Sequence, residues 1–305
     1  MRLSTTINFF IAPYTQSFDA CVEALEQYRD LGFSNLDAIF CGAENPGSPL
    51  RQDGWEDWVA AIGQAAQERG ITFVQSHVPF YNFCTMPASV PADAEAIVDR
   101  SIQAAGILGA PWTVAHPATA LGARLPFVSS KAQNLDYFKR RLAVCQRYGV
   151  GLALENMADF EGGGRHRWYC AYAEELCDLI GVDIGKLPEL ADAGTVLGPI
   201  RPEVCQADQS GALDLLGQRL KVVHVHDNSG QRDDHIAPFR GTVDWFSIMQ
   251  TLARMGYRHD FSFEVRRMLQ PGVPDEVKNS LWRHLKVVGE FLIAQYDAAC
   301  KGEIK

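Results

Sequence analysis

Seven polar residues stand where short apolar runs stop: His77, His116, Glu155, Asp192, His224, His226 and Glu264. A charged side chain at the end of a buried run is costly unless it is paired or bound to a cation. Histidine, aspartate and glutamate without cysteine suit a divalent cation of intermediate hardness. Mn2+ fits best, with Mg2+, Co2+ and Zn2+ behind it. A cation held by such groups would polarise a carbonyl and stabilise the charge of an enediolate. A carboxylate beside it would move a proton at the carbon next to that carbonyl.

Blander roles compete for each residue alone. A single histidine at a strand end is more often a hydrogen-bonded structural residue than a ligand. Glu155 could pair with an arginine, and Glu264 directly precedes Arg266 and Arg267. One convergent site accounts for all seven more economically than seven coincidences do. His166, His259 and His284 fall in loop or helix and read as surface or structural residues. The richest stretch is His224-Val225-His226-Asp227-Asn228-Ser229-Gly230, followed by Asp233-Asp234-His235 and Gly241-Thr242-Val243-Asp244-Trp245. Strand alternation puts His224 and His226 on one face. Asp233 and His235 then follow in a loop over that face. The residues from Asp227 to Gly230 also read simply as a polar turn.

Positioning such groups requires several strands that end together. The apolar runs end near Asn8, Ile39, His77, His116, Glu155, Asp192, His226 and Glu264, about 30 to 40 residues apart, one strand–helix unit each. Eight such units make a closed parallel (β/α)8 barrel, whose chemistry sits at the C-terminal strand ends. The expected strands are 3–10, 35–40, 71–77, 112–116, 151–155, 187–192, 221–226 and 260–265. The sixth is the weakest, being short and containing Pro188. Ser17 or Asp19 should cap the first helix. Asp244 opens the seventh and Gly256 ends it. The last helix is expected from about Asp275 to Ala298. Residues 157–168, with Gly162-Gly163-Gly164, form the longest irregular stretch and are placed as a lid over the mouth.

Bulk properties set the limits. The chain has 305 residues, 47% of them hydrophobic and 21% charged, so residues 1–305 can form one packed barrel domain. No apolar run is long enough to span a membrane. The N-terminus lacks the apolar core of a signal peptide, so the expected compartment is the cytoplasm. The eight cysteines form no CxxC pair and are expected to be free thiols. A net charge of −9 argues against nucleic acid, whose phosphates need clustered Lys and Arg. A homo-oligomer is left open.

These motifs resemble the xylose-isomerase-like TIM barrel superfamily, in its sugar phosphate isomerase/epimerase branch. The resemblance rests on Ser76-His77-Val78-Pro79, His116-Pro117, Ala153-Leu154-Glu155-Asn156, His224-Val225-His226-Asp227-Asn228, Asp233-Asp234-His235, residues 241–245 and Phe261-Ser262-Phe263-Glu264-Val265, in family order. It implies that Glu155, Asp192, His224 and Glu264 bind one divalent metal, with Glu155 and Glu264 exchanging the proton. His77, His116, His226, Asp233, His235 and Arg240 would contact a small carbohydrate substrate. Two departures stand out. Thr195 occupies a position where the family has histidine. Arg240 replaces a small residue, either to meet an anionic substrate or to face solvent. The resemblance implies a metal-dependent isomerase or epimerase of a small sugar, keto-sugar or sugar phosphate. The alternatives are a lyase or dehydratase on a keto-polyol or oxidised glycoside, a non-catalytic sugar-binding subunit, and an apurinic endonuclease. Thr195 would break the third zinc site of the last.

Overall fold

The computed structural model describes residues 1–10, 17–85, 90–157, 168–171, 173–181, 190–193, 209–229, 234–265 and 272–304, with backbone alone at 181 and 190–193. The strands are β1 (Leu3–Ile7), β2 (Asn35–Ile39), β3 (Thr72–His77), β4 (Trp112–Ala115), β5 (Gly151–Leu154), β6 (Leu190–Ala193), β7 (Leu220–Val222), β8 (His224–Val225) and β9 (Phe261–Phe263). The helices are α1 (Phe18–Asp30), α2 (Trp55–Glu68), α3 (Ala94–Ile107), α4 (Pro126–Tyr148), α5 (Ala173–Gly181), α6 (Gln209–Leu216), α7 (Trp245–Met255) and α8 (Asp275–Cys300).

All strand pairs are parallel, in the order β7-β6-β5-β4-β3-β2-β1-β9-β8. β7 and β8 stand at opposite ends of that order but are separated only by Val223. They are two halves of one strand, and their junction closes the sheet into an eight-fold barrel. This corrects the continuous strand expected over 221–226. The lower half pairs with β6 and the upper half with β9. Strands in a barrel are tilted and staggered, so a strand can change neighbours along its length.

Consecutive helices pack around this sheet from α1 to α8. The ring is completed where Gln27 Nε2 donates to Asn279 Oδ1 at 2.8 Å and the Tyr28 ring meets Trp282. Local signals act as the residue types dictate. Ser17 caps α1 by accepting from Ala20 N at 3.2 Å. Asp244 caps α7 through Ser247 N, and Gly256 ends it in the left-handed region. α4 starts with Pro126 and stops at Gly149, also left-handed. α8 runs two residues beyond its expected end.

The packed core includes Phe33, Leu36, Phe73, Phe261, Phe263 and Trp245. A second apolar cluster, around Phe138, Leu142 and Leu152, lies under α4. Buried polar residues interrupt the sheet: Asp37, Gln75, Ser76, Thr113 and Ser262. No described helix is long and apolar enough to cross a membrane. The seven described cysteines are free, and Cys205 lies outside the described residues.

Candidate metal centre

Glu155 and Glu264 each occupy the first position after a strand, β5 and β9. Their backbones extend the ladder, Glu155 N donating to Ala115 O and Glu264 N to Val225 O, both at 3.0 Å. That bonding turns both carboxyls into the barrel mouth, where they are only 2% and 4% exposed. They meet at one imidazole. His224 Nδ1 lies 3.0 Å from Glu155 Oε2 and 3.8 Å from Glu264 Oε2.

Two further groupings share these carboxylates. His77 Nε2 and His116 Nε2 lie 3.3 and 3.4 Å from Glu155 Oε2. On the other side, His235 Nδ1 approaches Glu264 Oε2 to 3.7 Å and hydrogen-bonds to its backbone carbonyl at 3.0 Å. The rings of His226 and His235 stack at 4.1 Å. In each of the triplets Glu155–His224–Glu264, His77–His116–Glu155 and His226–His235–Glu264, one potential ligand atom per residue lies within 4.8 Å of the others.

The described residues that flank the last two histidines are tied together. Asp227 and Ile236 form an antiparallel bridge. Asp227 is fully buried and accepts from Trp245 Nε1 at 3.0 Å, Val243 N at 3.2 Å and Asn228 N at 2.8 Å. Beside the bridge, His235 has φ of 49°, a left-handed conformation that a non-glycine residue seldom adopts.

The electrostatics follow from crowding acids and imidazoles in a dry place. For His224, burial lowers the proton affinity, but Glu155, Glu264 and Asp37 outweigh it and hold the pKa well above its ordinary value. For Glu155, burial works upward, but His224 and His116 overcome it and hold the carboxyl well below the usual range. His77 is likewise opposed by burial, yet hydrogen bonds to Cys41 and Glu155 raise it to about 10. His116 follows its burial and drops to about 4.

This donor set fits a divalent cation. Two nearly buried carboxylates face the same imidazole nitrogen, so the cluster needs positive charge at its centre. The raised proton affinities of His77 and His224 favour such charge in the metal-free protein, and a cation would take over that role.

A pH dependence follows for the chelated protein. Against an ordinary histidine value of 6.5, the raised His77 stabilises the fold fully below that pH. The contribution is lost as pH rises through about 10. Urea unfolding at about pH 7 and about pH 10.5 should therefore show lower stability at the alkaline point. His77→Gln should shrink the difference, and an unchanged difference would contradict the assignment.

The other expected site residues divide into three groups. Asp192 lies on β6, in register with Leu154 immediately before Glu155, and its side chain is outside the described residues. Asp233, Thr195, His166 and residues 158–167 of the expected lid are also outside them. Arg240 is exposed, directly after the turn at Pro238 and Phe239. His259 packs against Trp112 and Tyr257, and His284 is exposed, as structural and surface roles require.

Asp37 was not among the expected site residues. It is fully buried in β2 and accepts from His224 Nε2 at 2.7 Å and Gln75 Nε2 at 2.9 Å. Its signal was a lone acid in the apolar run Leu36 to Phe40.

The family model described as xylose isomerase-like TIM barrel matches residues 25–282. The chain belongs to that family. Among curated relatives, it is 39% identical over 62 residues to the uncharacterized protein y4fM of Sinorhizobium fredii (strain NBRC 101917 / NGR234), a stretch covering 20% of each chain. The match thus spans about a fifth of that relative's length. Among solved structures, an L-ribulose 3-epimerase superposes with a TM-score of 0.72 at 16% identity, covering 99% of this chain and 96% of the other. A 3-keto-D-glucoside 4-epimerase from E. coli gives 0.68 at 14% identity, covering 94% and 99%. At these identities the two structures share the barrel fold with this chain, and function must be argued from the site.

Proposed function

We propose that this chain is a divalent-metal-dependent isomerase or epimerase of a small sugar, keto-sugar or sugar phosphate, acting through an enediolate. The observation that carries the reading is the meeting of Glu155 and Glu264 at His224 Nδ1. Glu155, His224 and Glu264, with Asp192 from the neighbouring strand, would hold the cation. Mn2+ suits these donors best, with Mg2+, Co2+ and Zn2+ as alternatives. When bound, it would polarise the substrate carbonyl and stabilise negative charge on the oxygens.

The chain's own groups supply the rest. Glu155 and Glu264 rise from strands on different sides of the mouth, so each can take or return a proton at one face of the carbon beside the carbonyl. His77, a charged donor, and His116, a neutral ring, line the approach to Glu155 and would meet substrate hydroxyls. His226 and His235 do so on the Glu264 side. Asp233 and Arg240 complete the proposed substrate contacts, with Arg240 suited to an anionic group.

Exchange in heavy water tests the reading. The Mn2+-loaded protein should place deuterium on the carbon beside the carbonyl of a ketose substrate, read by NMR or mass spectrometry. Loss of water or of an aglycone would instead identify a lyase. Absence of exchange across a panel of ketoses and keto-sugars would count against turnover of this kind.

A further inference from the structure

We propose that Asp37 is a positioning residue that locks the His224 ring, Nε2–H toward itself and Nδ1 toward Glu155 and Glu264. The metal-binding part of this inference rests on the function proposed above; the ring orientation rests on the structure alone. The two nitrogens of His224 have different surroundings. Nδ1 faces the carboxylates at the mouth, while Nε2 lies 2.7 Å from Asp37 Oδ2. Both side chains are almost completely buried, so water does not compete for the bond.

The arrangement is built by the barrel itself. β2 and β8 are separated by β1 and β9 in the sheet, so the Asp37–His224 bond spans several strands. Between Leu36 and Asp37 the register with β3 slips, which places Asp37 opposite Gln75. Such irregularities re-aim a side chain beside functional sites. Gln75 Nε2 then donates to the same Oδ2 at 2.9 Å and fixes the carboxylate. A buried carboxylate with no Lys or Arg on it among the described contacts needs another partner, and His224 supplies one.

The chemistry has a direction. An imidazole that gives its Nε2 proton to a carboxylate keeps the Nδ1 lone pair for a cation and gains basicity. Without Asp37, Nε2 loses its acceptor and only the carboxylates at Nδ1 remain to orient the ring. Loss of a partner of this type usually weakens metal binding about 10- to 100-fold.

The test uses the full chain labelled with 15N-histidine and Zn2+ alone as probe. In the wild type, Zn2+ should shift Nδ1 of His224 while Nε2 keeps a slowly exchanging proton. Zn2+ on Nε2, or an Nε2 proton that exchanges as fast as that of the exposed His284, would overturn the proposal. Asp37→Leu should weaken Zn2+ binding about 10- to 100-fold and abolish the protected proton. Asp37→Asn, which keeps an acceptor oxygen, should fall between them. Binding by Asp37→Leu within about threefold of wild type, with the proton still protected, would also overturn it. The wild-type spectrum decides the ring orientation even if a variant does not fold. If the wild type takes up no Zn2+ at His224, the metal reading fails separately. A protected Nε2 proton in the metal-free wild type then still supports the role of Asp37, and an unprotected one refutes it.

Discussion

Replacing Glu155 by glutamine is expected to abolish turnover, with the heavy-water exchange rate falling by about 10²- to 10⁴-fold. The expectation combines two losses. Glu155 Oε2 lies within 3.0 to 3.4 Å of ring nitrogens on His224, His77 and His116, so one oxygen serves three imidazoles. Glutamine keeps the volume but has no charge and cannot accept a proton at neutral pH. It also leaves Glu264 as the only described carboxylate facing His224 Nδ1, which weakens cation binding. Saturating metal separates the effects: it restores occupancy but not proton transfer. Glu264→Gln should be equally severe, because the proposed chemistry needs a base on each face. Retained exchange in both variants, measured at saturating Mn2+ by deuterium incorporation, would sink the two-glutamate mechanism. A spectroscopic companion is available. With Glu155 neutralised, the His77 pKa should fall from about 10, the rest of its rise being due to Cys41.

The barrel and much of this site were legible because the fold leaves a periodic imprint. Apolar runs about 30 to 40 residues apart, most of them ending in an acid or imidazole, singled out Glu155, His224 and Glu264 among seven candidates. Capping chemistry located α1 and α7 for a similar local reason: Ser17, Asp244 and Gly256 act on backbone groups within a few residues. The features that escaped depend on partners distant in sequence. Asp37 reads as a lone acid in an apolar run, with no partner in view until β8 brings His224 against it, 187 positions later. The break at Val223 follows from barrel closure, which no window of one strand can reveal. Asp227 is the instructive middle case. Its neighbourhood read as a polar turn, whereas Asp227 itself pairs with Ile236 in an antiparallel bridge. Trp245, eighteen residues on, gives its indole N–H to that aspartate and makes it the centre of a buried clamp.

That clamp makes Gly241→Ala the substitution with the largest expected cost to stability, about 3 kcal/mol. An alanine Cβ at 241 would lie closer than 3.0 Å to the Asn228 carbonyl oxygen and carbon and to Asp227 Oδ1. Two opposing effects meet here. Removing a glycine ordinarily stabilises a chain by about 0.4–1 kcal/mol, because the unfolded state loses freedom. That gain applies only where the new side chain fits. Here two of the colliding atoms are backbone, which cannot rotate away, and the third belongs to a carboxylate that already holds three donors. Relief therefore requires residues 227–228 to move as a unit. Such a movement would strain the bonds from Trp245 and Val243 to Asp227, each donating to a fully buried acceptor. It would also shear the Asp227–Ile236 bridge that sets His226 against His235. Urea unfolding should show the midpoint falling, and a gain of about 0.4–1 kcal/mol would mean that the clamp yields freely. Metal binding should respond differently on the two sides of the mouth. His224 is held by Asp37 and Glu155 on other strands and should keep its ring orientation, whereas His235, carried by the displaced loop, should lose its contact with Glu264.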